Sequence, residues 1–483
     1  MIGQLLRKKL DITGSIDYLD SAIDHFERAI KRLKPPASEW AVAKAELAFA
    51  LADRFRKKKD LEDLNRAIQC RRELEPHILP GAVELHKNIL SGELSERFQA
   101  TGSFLDASEA IAMLQSIAES TTDLDKKAFY LSCLSGVHRA LFQKTRIPEQ
   151  LKRSIETARL STQVKAENTT ASDRAVLIST LGSALYESWT YTSAKSDLDN
   201  AIEAYDRALQ LLPKEDRNLL TMQSQLGTLL RHRFDLAGRQ NDLKRAFELT
   251  QNAVQASPLE SVEVPGRMVN LAAVLETKWE AKGAAEDLEN AIQYIRSAVD
   301  ITPKEHEHYS TVHGALCRLL QSKFELCASV EDLHEAIDAG ERAMAGRHNG
   351  DAADAIHLNN LATAYHRQFD WLQSTDSLER AIALYEEAVK TKASSAGQSS
   401  FHANLSNALQ KRCEKLEELE INEGQKKKSA DDLSWAIESA RNAVEASRNN
   451  HNLRFAKMTL ARALTTKGRR DADTKALDEA IEI

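Results

Sequence analysis

The sequence predicts an all-α fold, a serial stack of helix hairpins, and three observations predict it. First, a Leu-x-x-Ala-Ile signal recurs at Leu19, Leu64, Leu198, Leu288, Leu333, Leu378, Leu433 and Leu477, with weaker copies at Leu151, Leu243 and Ser108–Ile111. Its last apolar residue returns every 43 to 47 residues, apart from one interval of 55. A period of this length marks stacked supersecondary units rather than one globular core. Second, apolar residues within each unit fall at i, i+3/i+4 and i+7/i+8, as in the stripe Leu226, Leu229, Leu230 and Phe234, which is helical spacing. Third, Gly (18) and Pro (9) are scarce in 483 residues, and no proline interrupts an anchored helix core.

Each unit is expected to hold two antiparallel helices. The first carries a leucine and, eight residues later, an aromatic: Leu47 and Phe55, Leu90 and Phe98, Leu134 and Phe142, Leu181 and Trp189, Leu226 and Phe234, Leu271 and Trp279, Leu316 and Phe324, Leu361 and Phe369. Gly14, Gly102, Gly238 and Gly283 sit four residues past the aromatic position, where a left-handed helix terminus suits glycine. Ser329 and Ser429, each three residues before an aspartate (Asp332, Asp432), are expected N-caps for the second helix. From the aromatic to the second-helix Ile is 13 residues in every unit but one, as in Phe55 to Ile68 and Phe369 to Ile382. So constant a distance implies a short turn of fixed geometry. Links to the next unit vary more and hold Pro35, Pro36, Pro76, Pro80, Pro213, Pro258 and Pro303. Pro148 and Pro265 fall at predicted helix starts, where the missing N–H is harmless.

The composition narrows function mainly by exclusion. A formal net charge of −7 gives no electrostatic argument for nucleic acid or an anionic membrane, so neither is expected as a partner. Cys70, Cys133, Cys317, Cys327 and Cys413 are odd in number and lack CxxC spacing, which suits reduced thiols in an intracellular protein. No apolar run reaches the ~20 residues of a membrane span. No apolar stretch follows Arg7, Lys8 and Lys9 to make an export signal, so a soluble cytoplasmic protein is the default.

The second helices resemble the tetratricopeptide repeat (TPR). Ala201, Tyr205, Ala208 and Pro213 reproduce its Ala-x3-aromatic-x2-Ala-x4-Pro spacing, and Ala291, Ile295, Ala298 and Pro303 do so with Ile for the aromatic. Leu181-Gly182 and Leu226-Gly227 resemble the TPR Leu-Gly pair, and the segment from Leu358 to Tyr365 resembles the kinesin-light-chain variety. The resemblance covers essentially the whole chain, although the period exceeds the family's ~34 residues. It is similar to long-period arrays of large fungal proteins, which often precede a caspase-like CHAT peptidase domain; no such domain is present in this sequence. The resemblance implies a right-handed superhelical solenoid of about eleven antiparallel helix pairs, with first helices lining a concave groove.

Two irregularities interrupt a single solenoid over 1–483. Between Cys413 and Ile437 the hairpin is 24 residues long instead of 13, an insertion over 414–430 that either extends both helices or forms a polar loop. At the ends, Ile2 and Leu10 occupy first-helix positions and Ile483 follows closely on a second-helix anchor, so the chain starts and ends mid-unit. Without capping units, the expectation is a piece of a longer protein with association through its ends.

Catalytic spacing is absent: no phosphate-cradling Gly-rich loop, no Gly-x-Ser-x-Gly, no His-Glu-x-x-His. His313 and Cys317 lie one helical turn apart but supply only two ligands, and His306 and His308 alternate, so neither metal nor cofactor is expected. The expected function is a non-catalytic protein-interaction scaffold; the alternative is the sensing arm of a larger effector such as a CHAT-type peptidase.

Carried over from the TPR groove, the expected peptide-binding residues are those two before and two, five and six after each first-helix leucine. One unit supplies Ser224, Thr228, Arg231 and His232, and the next but one supplies Arg318 and Gln321. Asn359, Thr363, His366 and Arg367 follow, then Asn407, Gln410 and Lys411. Asn and Gln amides can satisfy both N–H and C=O groups of an extended peptide, and Arg can hold a carboxylate bidentately. Arg231, Arg318, Arg367 and Lys411 make this lining lean basic against Glu276, which favours an acidic or carboxylate-bearing partner. Asn270, Asn360 and Asn404, each directly before the leucine, could equally bond neighbouring backbone and rigidify the stack.

Overall fold

The structure, a computed structural model, describes residues 17–35, 37–165, 167–258, 261–304, 306–346, 352–391, 395–418, 423–447 and 452–483. Among these there are twenty-one α-helices, two short 3-10 turns and no strand, so the all-α expectation holds. Contacts divide the chain into two compact units, residues 1–184 and 185–483.

In the first unit, α1 (Asp17–Arg32) is followed by the hairpins α2 (Ser38–Lys58) with α3 (Leu61–Leu74), α4 (Val83–Thr101) with α5 (Phe104–Ser120), and α6 (Leu124–Thr145) with α7 (Pro148–Gln163). Leu19, Ile23 and Phe26 of α1 pack on Leu47 and Leu51 of α2, and Leu64, Ile68, Leu90, Leu94 and Leu134 continue the core. The helix α8 (Ala171–Thr192) crosses the boundary and α9 (Lys195–Leu211) follows it. The second unit continues with the hairpins α10 (Leu219–Ala237) and α11 (Gln240–Gln255), α12 (Val264–Lys282) and α13 (Ala285–Ile301), α14 (Tyr309–Cys327) and α15 (Val330–Ala345). Then come α16 (Ala352–Leu372) and α17 (Thr375–Lys390), α18 (Ser395–Glu418) and α19 (Glu423–Ala446), α20 (Leu453–Asp471) and α21 (Thr474–Glu482). One continuous core runs from Val254 to Ala436. In it, each first helix packs on its own second helix and on the next first helix: α10 on α12, α12 on α14, α14 on α16, α16 on α18.

Small residues set that close approach. A Cβ placed on Gly227 would lie 2.4 Å from the Thr250 side chain and 3.1 Å from the Ala246 carbonyl, so α10 and α11 touch where only glycine fits.

Two-residue turns close the hairpins, as the constant 13-residue distance predicts. Gly102, Gly238 and Gly283 adopt positive φ, and their N–H groups donate to the Phe98, Phe234 and Trp279 carbonyls at 2.7 Å. Lys59, Arg146, Ser193, Ala328 and Gln373 do the same without being glycine, and Ala472 shares the positive φ. A left-handed conformation costs an L-residue roughly 1–2 kcal/mol. Ala328→Gly should therefore stabilise the protein by up to about 1 kcal/mol, which denaturant titration would register as a raised midpoint at unchanged slope.

The N-cap expectations divide. Ser329 accepts from the Asp332 N–H at 3.1 Å and caps α15. Ser429 does not cap a helix, because α19 already begins at Glu423; its buried hydroxyl instead lies 3.2 Å from the Cys413 sulfur. Helix α18 runs to Glu418, so the added residues described here lengthen both helices of that hairpin. Gly14, Ile2 and Leu10 lie outside the described residues.

A repeated ion pair pins most of the hairpins. The residue directly before the aromatic reaches the residue nine positions on, in the first turn of the second helix. Arg54 holds Asp63, Arg97 holds Asp106 and Arg233 holds Asp242, each bidentately at 2.5–2.8 Å. Lys278–Asp287 (2.7 Å) and Lys323–Asp332 (3.3 Å) follow, and Ser188–Asp197 and Gln368–Ser377 are neutral versions. Arg412–Asp432 keeps the pair across twenty residues, despite the lengthened helices. The same side chains reach back to the preceding second helix: Arg54 to Asp20, Arg97 to Asn65, Arg233 to Asp199, Lys323 to Glu289, Arg412 to Glu379.

Candidate functional site

The first helices of the second unit bring most, but not all, of the expected peptide-binding residues to a surface. Ser224, Gln321 and Gln410 are buried, at 2, 4 and 2% exposure. Their polar groups act within the stack: Ser224 accepts from Asn270 Nδ2 at 2.9 Å, Gln321 donates to the Cys317 and Asn360 carbonyls, and Gln410 donates to Ser406. Asn359 accepts from Asn404 at 2.9 Å on the next first helix, so the asparagine rungs join neighbouring repeats largely through side chains. Thr228 donates to the Ser224 carbonyl.

The remaining residues other than Lys411 line two concavities. The larger, about 650 Å³, gathers Arg231 and His232 from α10, Glu276 and Glu280 from α12, Arg318 from α14, and Trp189 from α8. Trp189 and His232 rings lie 4.9 Å apart, and Tyr186 Oη and His232 Nε2 are within hydrogen-bond distance at 3.1 Å. The smaller, about 400 Å³, gathers Thr363, His366 and Arg367 from α16 with Phe324, Trp371, Tyr385 and Asn407. Trp371 stands edge-on to Phe324 at 5.7 Å, and Tyr385 donates to Thr363 at 3.0 Å. Burial holds His366 below its ordinary range, opposed by Asp370 and reinforced by Lys411 and Arg367. Its Nε2 and the Asn407 Oδ1 are buried without a hydrogen-bond partner among the described residues.

Every basic residue of this lining already has an acid. Arg231 pairs with Asp235 at 3.1 Å, Arg318 with Glu276, Arg367 with Glu325, and Lys411 with Asp370 at 3.7 Å. Arg367 also donates to the Gln321 carbonyl at 2.9 Å, fastening α16 to α14. The expected preference for an acidic partner therefore loses its basis: these guanidinium and ammonium groups are neutralised within the surface.

Three of the neutralising acids belong to a ladder that the aromatic spacing alone does not reveal. Asp235, Glu280, Glu325 and Asp370 each follow the aromatic directly, 45 residues apart, and all four are exposed. One position further stand Leu236 (40% exposed), Ala281, Leu326 (51%) and Trp371 (51%). The signal was available as two extra columns beside the aromatic column already in use. Glu280 alone among the four has no hydrogen bond or ion pair among the described residues. Partial desolvation, then the Asp235 and Glu325 carboxylates, raise its pKa, against a lowering by Arg231.

His313 and Cys317 face inward, at 3 and 0% exposure, and burial pushes the Cys317 thiol up to about 12. Among the described residues no group of three or more His, Cys, Asp or Glu is placed to hold a metal ion, and no helix is long and apolar enough to cross a membrane.

Residues 355–392, the α16–α17 hairpin that lines the smaller concavity, match the profile of the tetratricopeptide repeat. The chain carries a tetratricopeptide repeat. No curated protein matches its sequence. Among solved structures, a monomeric mutant of IFIT1 with Gppp-AAAA is similar at 12% identity and a TM-score of 0.54, over 96% of this chain and 93% of that one. The human IFIT1 dimer with PPP-AAAA is similar at 13% identity and a TM-score of 0.52, over 95% and 90%. A tetratricopeptide repeat protein from Parabacteroides merdae covers 66% of this chain and 98% of its own at 11% identity, with a TM-score of 0.42. At these identities the likeness is one of fold. It also overturns the expectation of no nucleic-acid partner that the small net charge suggests: IFIT1, a protein of like fold, is solved with Gppp-AAAA and with PPP-AAAA. Net charge over a whole repeat array does not report the local potential of one groove.

Proposed function

We propose that this tetratricopeptide-repeat chain is a non-catalytic scaffold that engages a partner protein along the first-helix face of its second unit. One observation supports this most: two concavities open along successive first helices, one edged by exposed Leu236 and the other by exposed Trp371, with exposed Leu326 at the same position of the repeat between them. Exposed apolar side chains in register with a cavity wall mark an interaction surface more than a solvated one. Within the expected peptide-binding set, Arg231, His232, Arg318, Thr363, His366, Arg367 and Asn407 form the walls. The inward bonds of Ser224, Gln321 and Gln410 make those residues supports of the first helices.

Photo-crosslinking tests the proposal. A photoreactive amino acid replacing Trp371 or Leu326 in the full chain should capture protein from a cell extract, whereas one replacing Lys244, exposed on the second helix α11, should not. Equal capture at Lys244, or capture of RNA rather than protein at Trp371, would overturn it. The RNA arm is needed because IFIT1, similar in fold, is solved with Gppp-AAAA and PPP-AAAA.

A further inference from the structure

Resting on that scaffold function, we propose that the partner is a peptide segment carrying a basic side chain for the larger concavity and a large apolar side chain for the smaller one. The charge arrangement in the larger concavity selects the sign. Its two guanidinium groups, Arg231 and Arg318, face Asp235 and Glu276 and have little left to offer an anion. Glu280 on the same wall has no partner among the described residues and sits between two further carboxylates. An anion entering here would meet that uncompensated charge. An ammonium or guanidinium group would pair with it and could lie against the Trp189 and His232 faces across the same cavity.

The smaller concavity selects the second side chain. Phe324 and Trp371 form its apolar wall, and Trp371 is half exposed. Its ionic groups are already paired, Arg367 with Glu325 inside it and Asp370 with Lys411 outside it, so burying an apolar side chain there strands no charge. The repeat also sets the spacing. Glu280 is on α12 and Trp371 on α16, two helix contacts apart through α14. Packed helices lie about 8–10 Å apart, so the sites are about 16–20 Å apart. An extended chain rising about 3.3 Å per residue covers that in about five or six residues.

Fluorescence anisotropy on the full chain tests this with labelled ten-residue peptides. One series carries Lys and Trp five or six positions apart; matched series replace the Lys by Glu or by norleucine. The Lys series should bind most tightly. Glu280→Gln should weaken it about tenfold while leaving the norleucine peptides unchanged, and Glu280→Lys should reverse the preference toward the Glu series. Glu280 is exposed, so these variants should keep the fold. Equal or tighter binding of the Glu peptides to the wild type, or no loss with Glu280→Gln, overturns the proposal. Binding of none of the series overturns it as well, and position-specific crosslinking at Trp371 then judges the scaffold function separately.

Discussion

Glu93→Ala should destabilise the first unit by about 3–5 kcal/mol, among the largest effects available to a single side chain in this protein. Arg71 and Glu93 are each only 2% exposed and meet at 3.1 Å between α3 and α4. The Arg71 guanidinium stacks 4.1 Å from the Phe49 ring centroid and has no second carboxylate to turn to. Removing Glu93 strands a buried cation, which costs more than the pair contributes. Arg71 Nη2, Glu93 Oε2 and His86 Nε2 also lack hydrogen-bond partners among the described residues, so the pair is under-satisfied even when intact. Arg71→Met with Glu93→Leu should therefore recover most or all of the loss. Chemical denaturation of the wild type, the single variant and the double variant checks both statements. A single variant within about 0.5 kcal/mol of the wild type would count against them.

Acidification should weaken the second unit through His357. This ring is 7% exposed, neither nitrogen meets a hydrogen-bond partner, and burial alone pushes its pKa down to about 4. The neutral ring belongs to the fold, while the unfolded chain takes up a proton near pH 6.5. Stability from this group is thus complete above pH 6.5 and falls as pH drops from there to about 4, by up to about 3 kcal/mol. Buried His313 and half-buried His402, on α14 and α18, are lowered in the same direction and add to the slope. Urea titrations at pH 7 and pH 4.5 should show the loss, and His357→Leu should flatten it. An unchanged slope in that variant would assign the acid sensitivity elsewhere.

Much of the fold was legible because a 45-residue period repeats the same physical demands. The aromatic, the left-handed residue four places on and the Leu-x-x-Ala-Ile anchor each perform one step of the hairpin, and glycine spacing located three of the left-handed termini directly. Six others escaped composition, because Lys59 or Gln373 can occupy that conformation at a cost that helix packing offsets. Ser429 misled because a local cap signal competes with helix continuation, and the longer α19 carries the backbone through it.

The candidate site was less legible. Helical spacing says which residues share a face, but not whether a polar group is used internally. Ser224, Gln321 and Gln410 are consumed by neighbours, and Arg231, Arg318 and Arg367 by carboxylates whose columns had not been compared. Counting charge along one stripe therefore gives no basis for a preference of sign. A cation and an anion one turn or one repeat apart cancel, which leaves Glu280 as the one acid of its column with no ion pair among the described residues.

Arg54, Arg233 and Arg412, in the column before the aromatic position, each grip an aspartate of their own hairpin and an acid of the hairpin before it. The receiving position, one after the second-helix leucine, is an acid at Asp20, Asp199, Glu289 and Glu379 but Lys152, Lys244 or His334 in other repeats. A hairpin carrying that arginine can therefore follow some repeats and not others, so the order of the units is written into their joints.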